Sequence, residues 1–427
     1  MRVVAVADVH LGKQPSKVPD ALGRAADLSA AQAWRNLVTY CADDPPAALL
    51  IAGDLVDDDN DLFEATEIVA EGVERLADLG TRVIAVSGNH DQKALPRVAA
   101  RVPKLEILGD GGRWESATVE AGGERLRVLG WSFPQVRHHE SPVDSALRTL
   151  AAEPFDGPTI GLLHGDLDVA QSPYAPVQRH DLEALPTAAW LLGHQHVTHD
   201  LDAQAKPVGY LGSLAASDPG EAGRHGAWEL TLEGGRVAFK HLPLAPLRYE
   251  QVTVELPLET TPKTSVTDLQ KGIEAALGDT ADAADWLQGV ALRLEVTGRV
   301  KEANKVLSEL TAQALDDLFM QVGSVTVAVE RHVLRVLPPL DLEGMARDND
   351  PLGSAAELLL TLRGERGEEA REAAVARLTE RLPERHADRH FRSLDLAKPD
   401  PDERVQGLIH ATERVIQGLL AQREERA

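Results

Sequence analysis

Val3-Val4-Ala5-Val6-Ala7-Asp8-Val9-His10-Leu11-Gly12 opens the chain. Five apolar residues run without a break into a carboxylate and, two positions on, an imidazole. A short continuous Val/Ala run, with no alternation, reads as a strand buried on both faces. Asp8 and His10 then lie in the loop at its carboxyl end, where both turn toward one point. The same arrangement returns four times. Ala48–Ala52 runs into Gly53-Asp54, and Arg82–Ser87 into Gly88-Asn89-His90-Asp91. Thr159–His164 ends in His164-Gly165, and Ala189–Gly193 runs into Gly193-His194-Gln195-His196. A sixth strand-like run is Leu126–Trp131.

Helical patterns at Ala30–Ala42 and Leu62–Leu79 separate these runs. Strands and helices in alternation predict a layered α/β domain with its chemistry at the carboxyl ends of strands. Two more strand-like runs, Ala227–Leu232 and Arg236–Leu242, close that domain at about residue 245. Pro243, Pro246, Pro257 and Pro262 mark the boundary. Residues 246–340 then read strand Gln251–Leu256, helix Val266–Leu277, strand Val290–Gly298, helix Glu302–Met320 and strand Ser324–Val336. Val290, Leu292, Leu294 and Val296 alternate with smaller or charged residues, as in a sheet with one covered face. This is a small α+β domain. Residues 341–427 are charged and poor in aromatics, with helices at Ala355–Leu362 and Glu368–Leu382. Pro399 and Pro401 precede a final helix whose Val405, Leu408, Ile409, Thr412, Val415, Ile416, Leu419 and Leu420 form one apolar stripe. Such a helix must dock on its own body or on a partner.

The five strand-end motifs supply Asp8, His10, Asp54, Asn89, His164, His194 and His196. Mixed oxygen and imidazole donors of this kind suit a pair of divalent transition metals. Asp54 is placed to bridge two ions with one carboxylate. Gly53 and Gly88 turn the backbone without a side chain near the metals. Taken singly, each residue has an ordinary reading: Asp8 as a helix cap, Asn89 as a turn residue, His164 as a satisfied core histidine. Five such coincidences in order argue for a two-metal phosphoesterase. Cys41, the single cysteine, reads as a small buried hydrophobe on a helix. Trp131, Trp190 and Trp228 read as core.

In these residues the chain resembles the calcineurin-like metallophosphoesterase superfamily. The resemblance implies a β-sandwich flanked by helices. It also implies that Asp8, His10, Asp54 and His196 hold one ion, and Asp54, Asn89, His164 and His194 the other. His90 would protonate or stabilise the leaving oxygen, and Asp91 would orient His90. Leu11-Gly12 after the first ligands and Tyr210-Leu211-Gly212-Ser213 are similar to the SbcD type of DNA repair exonuclease. His164-Gly165-Asp166-Leu167-Asp168, Pro207–Leu214 and Pro243–Tyr249 look most like its YhaO-type branch. That likeness implies a DNA nuclease, 3'–5' exonuclease and/or endonuclease, processing double-strand breaks or ends with Mn2+. It implies a homodimer through catalytic-domain helices, and a coiled-coil ATPase of SbcC type, SMC-like, gripped by the C-terminal helices. Gly212, Ser213 and, in the loop after Trp131, His138 are candidate substrate contacts.

Charge pulls the other way. Asp+Glu number 68 against 44 Lys+Arg, a net −24. Overall acidity opposes non-specific binding to a polyanion. A small-molecule phosphodiesterase or nucleotidase of the same superfamily is therefore the alternative. No apolar run approaches the ~20 residues of a membrane span. A strand that begins directly after Arg2 leaves no signal peptide, and the expectation is a cytoplasmic protein.

Overall fold

The computed structural model describes residues 1–57, 62–152, 154–169, 171–281, 286–381 and 401–424. Strands β1 (Arg2–Val6), β2 (Ala48–Ala52), β3 (Arg82–Val86) and β4 (Leu105–Ile107) lie side by side in parallel. A second sheet follows in chain order: β5 (Trp114–Ala121), β6 (Glu124–Trp131), β7 (Thr159–His164), β8 (Ala189–Gly193) and β9 (Val208–Tyr210). β5 and β6 are an antiparallel hairpin, and β6 to β9 are parallel. The chain then returns to the first sheet, where β10 (Gly226–Glu233) pairs antiparallel to β1 and β11 (Arg236–Pro243) lies outside it.

The two sheets face each other across one apolar layer. Val3, Ala5, Leu50, Ile84 and Trp228 from the first meet Leu126, Val128, Ile160, Leu162 and Leu191 from the second. Helices α1 (Ala30–Asp43), α2 (Leu62–Asp78) and α3 (Ala94–Arg101) cover the outer face of the first sheet, with Trp34, Leu37, Val69, Val73 and Val98 packed on Val4, Leu49, Ile51 and Val83. Helices α4 (Val143–Ala152) and α5 (Arg179–Ala184) cover the second sheet over Trp131, Leu163, Trp190 and Leu192. Both faces of β1, β2, β7 and β8 are thus buried, the reason their sequences carry unbroken apolar runs. The expected α/β sandwich flanked by helices is the fold observed. Cys41 is buried on α1, and burial pushes its thiol up to about 12.

β12 (Leu247–Glu255), β13 (Gly289–Arg299), β14 (Phe319–Val322) and β15 (Val325–Leu337) form a third sheet in the order β12-β13-β15-β14. Helices α6 (Ser265–Ala281), α7 (Ala303–Glu309) and α8 (Ala312–Asp316) cover one face over Leu292, Leu294, Val296 and Val327. On the other face, Leu247, Tyr249 and Ala291 pack on Leu28, Ala216 and Leu22 from the first 220 residues. Residues 1–337 accordingly form one compact unit. The helix expected over Glu302–Met320 is broken. Thr311 starts a new helix by accepting the Ala314 N–H at 3.1 Å, and Met320 lies in β14, paired with Val327. The β-favouring residues that follow Leu318, and the Gly323 turn at φ 60°, decide for a hairpin.

Residues 338–427 are a second unit. It contains α9 (Leu342–Met345), α10 (Pro351–Leu362), α11 (Glu368–Arg381) and α12 (Pro401–Glu424). The apolar stripe of α12 is turned to α10: Ile416 is fully buried, and Ile409, Leu419 and Leu420 pack around Leu352, Ala356, Leu359 and Leu360. Most of that stripe is therefore covered by its own chain, with Val415 left 54% exposed. Leu382 and Pro399, invoked above as a helix end and a break, lie outside the described residues. No described helix is long and apolar enough to cross a membrane.

Candidate metal centre

The loops after β1 and β2 run on side by side beyond the sheet. Asp8 N–H donates to Gly53 O at 3.1 Å, His10 N–H to Asp54 O at 3.0 Å, and Leu11 N–H to Leu55 O at 3.0 Å. Asp8, His10 and Asp54 hold left-handed backbone at φ 49°, 50° and 51°, and His194 is at φ 107°. Four non-glycine residues in this sparse region within one cluster mark a strained site held by its surroundings. Space is equally tight. A Cβ on Gly53 would stand 2.4 Å from His164 Nδ1, and one on Gly88 2.2 Å from Asp54 Oδ1.

All seven expected ligands are brought together. Asp54 Oδ2 lies 3.3 Å from His164 Nε2 and 3.9 Å from His10 Nε2, so one carboxylate faces two imidazoles. Its Oδ1 accepts the His90 N–H at 3.0 Å. Both Asp8 oxygens accept the His194 N–H, at 3.0 and 3.1 Å. Asn89 Oδ1 stands 3.1 Å from His164 Nε2 and 3.0 Å from His194 Nδ1. His10 Nε2 and His196 Nε2 face each other at 3.1 Å. Ligand atoms of Asp8, His10 and His196 lie within 4.8 Å of one another, and so do those of Asp8, Asp54 and His164.

The donor chemistry fits cations. His10 Nδ1 meets Asp57 Oδ1 at 2.8 Å and His196 Nδ1 meets Glu221 Oε1 at 2.7 Å. Carboxylates only accept, so each Nδ1 carries the proton and each neutral Nε2 offers a lone pair. Two lone pairs 3.1 Å apart need positive charge between them. His164 repeats the pattern: its Nδ1–H donates to Ala52 O at 3.0 Å, and its Nε2 faces the oxygens of Asn89 and Asp54. Electrostatics agree. Burial opposes protonation of His164, but the Asp54 and Asp8 carboxylates outweigh it and raise its pKa to about 9. His10 is raised likewise: Asp57, Asp54 and Asp8 overcome its burial. Burial and the neighbouring His164 lower His194 to about 4. A metal pair would supply the charge that the carboxylates otherwise draw from protons.

His90 stands at the mouth with its side chain 50% exposed, its ring edge-on to His10 at 5.2 Å. Asp91 does not orient it. The Asp91 carboxylate is fully buried and accepts the Leu55 N–H at 2.7 Å and the Gly88 N–H at 2.8 Å, pinning the loops after β2 and β3 together. Burial and Asp54 push Asp91 up to about 7, against these two donors, which favour its charged form. The carboxylate near His90 is Asp57, with Oδ1 3.8 Å from His90 Nδ1. Of the candidate substrate contacts, Ser213 lies beside the cluster, its N–H donating to His196 O at 3.3 Å. Ser213 is 1% exposed and its hydroxyl meets His225 Nδ1 at 2.9 Å. Gly212 is buried against Thr198. The His138 ring lies on Trp131 at 5.1 Å.

Four residues at the site were not expected. Asp57 and Glu221 hold the far nitrogens of His10 and His196. Asp166 Oδ1 lies 3.5 Å from His194 Nε2 and accepts from Gln195 Nε2 at 3.1 Å. The Tyr174 ring rests on His194 at 4.8 Å. Outer partners of this kind fix the tautomer and aim of metal-binding imidazoles. Asp57, in Gly53-Asp54-Leu55-Val56-Asp57, and Asp166, in His164-Gly165-Asp166, carried a signal through closeness to a ligand; Glu221 and Tyr174 carried none.

Residues 1–198 match the family model described as calcineurin-like phosphoesterase. Every one of the seven ligand candidates lies in that span. The chain is 25% identical over 259 residues to the uncharacterized metallophosphoesterase YhaO of Bacillus subtilis (strain 168). That match covers 59% of this chain and 62% of the relative, so it spans somewhat less than two thirds of the relative's length. Among solved structures, the calcineurin-like phosphoesterase YfkN from Bacillus subtilis aligns at 15% identity over 65% of this chain and 98% of its own, with a TM-score of 0.37. A 5'-nucleotidase precursor from Thermus thermophilus aligns at 17% identity over 56% of this chain and 53% of its own, with a TM-score of 0.36. The ligand cluster at the carboxyl ends of β1, β2, β3, β7 and β8 falls within residues 1–198, the part of the chain that is similar to a calcineurin-like phosphoesterase domain, and its side chains could hold metal ions.

Proposed function

We propose that the chain is a two-metal-dependent DNA nuclease of the SbcD type, a 3'–5' exonuclease and/or endonuclease that processes DNA breaks or ends. The observation that carries the reading is the disposition of the centre. Asp54 faces imidazoles on two sides, while His90 beside it is half exposed. A phosphodiester that belongs to a long polymer can reach such a centre without being engulfed. Asp8, His10, Asp54 and His196 would hold one ion, and Asp54, Asn89, His164 and His194 the other. Ions held there would activate water and neutralise charge on the phosphate in an in-line displacement. Mn2+ suits the mixed carboxylate, amide and imidazole donors. His90 gives a proton, or a hydrogen bond, to the leaving oxygen from the solvent side.

The motif likeness that runs from Leu11-Gly12 to Tyr249 supports the nuclease branch. The net charge of −24 favours the second reading, a phosphodiesterase or nucleotidase for small substrates. For partners, the proposal is a homodimer and an SMC-like ATPase of SbcC type. The buried faces of α1 and α2 serve their own core, so a second copy would meet the outward side, where Phe63 is 70% and Leu79 47% exposed. The ATPase would meet the C-terminal helices on faces that α10 and α12 do not use on each other. The test is a Mn2+-dependent assay on labelled single-stranded, duplex and hairpin DNA beside bis-p-nitrophenyl phosphate. Cleavage of DNA supports the nuclease; turnover of the small diester with all three DNAs intact overturns it.

A further inference from the structure

The three outer carboxylates differ in where they come from. Asp57 and Asp166 each lie within three residues of a ligand motif, whereas Glu221 follows His196 by 25 positions. Both Glu221 oxygens are used. Oε1 accepts the His196 Nδ1–H at 2.7 Å and Oε2 accepts the Ser217 N–H at 2.7 Å. Burial alone would raise the Glu221 pKa, but His196 and the Ser217 N–H hold it down at about 2. Its backbone is tied as well. The Glu221 carbonyl accepts the His225 Nε2–H at 3.1 Å, and the Ser213 hydroxyl donates to His225 Nδ1 at 2.9 Å.

From Glu221 the connections run into the third sheet. Ala222 bridges Tyr249 of β12, and the Gly223 N–H donates to Tyr249 O at 2.9 Å. The Tyr249 hydroxyl donates to Ser16 O, and the Ser16 N–H donates back to Ser217 O at 2.9 Å. Tyr249 is 1% exposed and sits in the apolar patch that seats the third sheet on the phosphoesterase fold. The loop closes on itself: His196, Glu221, β12, Ser16, Ser217 and again Glu221.

We propose that Glu221 is a positioning residue that aims His196 at its ion and ties metal affinity to the seating of β12. The proposal rests on the dinuclear reading of the centre. An imidazole whose Nδ1–H is held by a buried carboxylate keeps one tautomer and one ring orientation, and it is a better base at Nε2. Because the carboxylate is fixed from β12, a bound ion and a seated third sheet favour each other.

The test is a calorimetric titration of the full chain with Mn2+, paired with amide hydrogen exchange. Glu221→Ala weakens one of two binding events by about 10- to 100-fold and leaves the other unchanged. Glu221→Gln keeps the volume and one acceptor but loses the charge, and falls between. In the wild type, Mn2+ slows exchange of peptides containing Ser217, Gly223 and β12; in Glu221→Ala that response is lost. Wild-type affinity for both ions in Glu221→Ala, or an undiminished exchange response, overturns the proposal. Should Glu221→Ala fail to fold, Glu221→Gln decides: unchanged affinity and exchange overturn it. A wild-type chain that binds fewer than two ions sinks the dinuclear reading itself, and this inference with it.

Discussion

Asp91→Asn separates two accounts of the Gly88-Asn89-His90-Asp91 loop. In one, the carboxylate serves His90 and the loss is catalytic. In the structure it serves two backbone N–H groups, Leu55 at 2.7 Å and Gly88 at 2.8 Å, from a fully buried position. Asparagine keeps one acceptor oxygen. Its NH2 then confronts the second N–H, donor against donor. Leaving a buried donor unsatisfied costs ~1–3 kcal/mol, and the charge on the remaining hydrogen bond is lost as well. The expected destabilisation is about 3 kcal/mol, or roughly 4 °C in Tm for a unit that spans residues 1–337. The assay is thermal unfolding of the full chain at about pH 8, where Asp91 is largely ionised, followed by circular dichroism, beside His90→Ala. The half-exposed His90 ring has no buried partner to strand, so His90→Ala melts within ~1 °C of the wild type. An Asp91→Asn protein with wild-type Tm and the turnover defect of His90→Ala would refute the reasoning.

His90→Ala itself keeps both ions and loses ~10²–10⁴-fold in turnover, read by metal titration and by cleavage rate; loss of the ions would make His90 a ligand instead. Asp54→Ala, which removes the carboxylate facing both His164 and His10, abolishes metal binding together with activity in the same two assays. Deleting residues 403–427 strips Ile416 and its neighbours from α10, so helicity is lost in residues 338–381 while Mn2+-dependent hydrolysis by residues 1–337 persists; co-purification with the ATPase is lost as well. Light scattering gives about twice the 46.1 kDa chain mass, and a monomer at micromolar concentration refutes the dimer.

The unbroken apolar runs made β1, β2, β3, β7 and β8 legible, because strands covered on both faces have no reason to alternate. The ligands were legible with them, since each lies within a few residues of a strand end. β5 escaped: Trp114–Ala121 mixes Glu115, Ser116, Thr118 and Glu120 into a half-covered edge strand, where the apolar signal is weak. Asp91 was misread because nothing local distinguishes a carboxylate turned to backbone donors from one turned to the next side chain. Glu221 is brought beside His196 by contacts distant in sequence, among them the Ser213 N–H on His196 O and the pairing of Ala222 with Tyr249 of β12. The stripe on α12 was readable as a buried face, but its partner α10 lies far back along the chain and is itself apolar on most sides.

The central claim is that one carboxylate, Asp54, joins two metal ions. Anomalous scattering from a crystal of the full chain soaked in Mn2+ tests it most directly. The account predicts two peaks ~3.5–4 Å apart, one on each side of the Asp54 carboxylate. One peak would belong among Asp8, His10 and His196, the other among Asn89, His164 and His194. A single peak, or none, contradicts it.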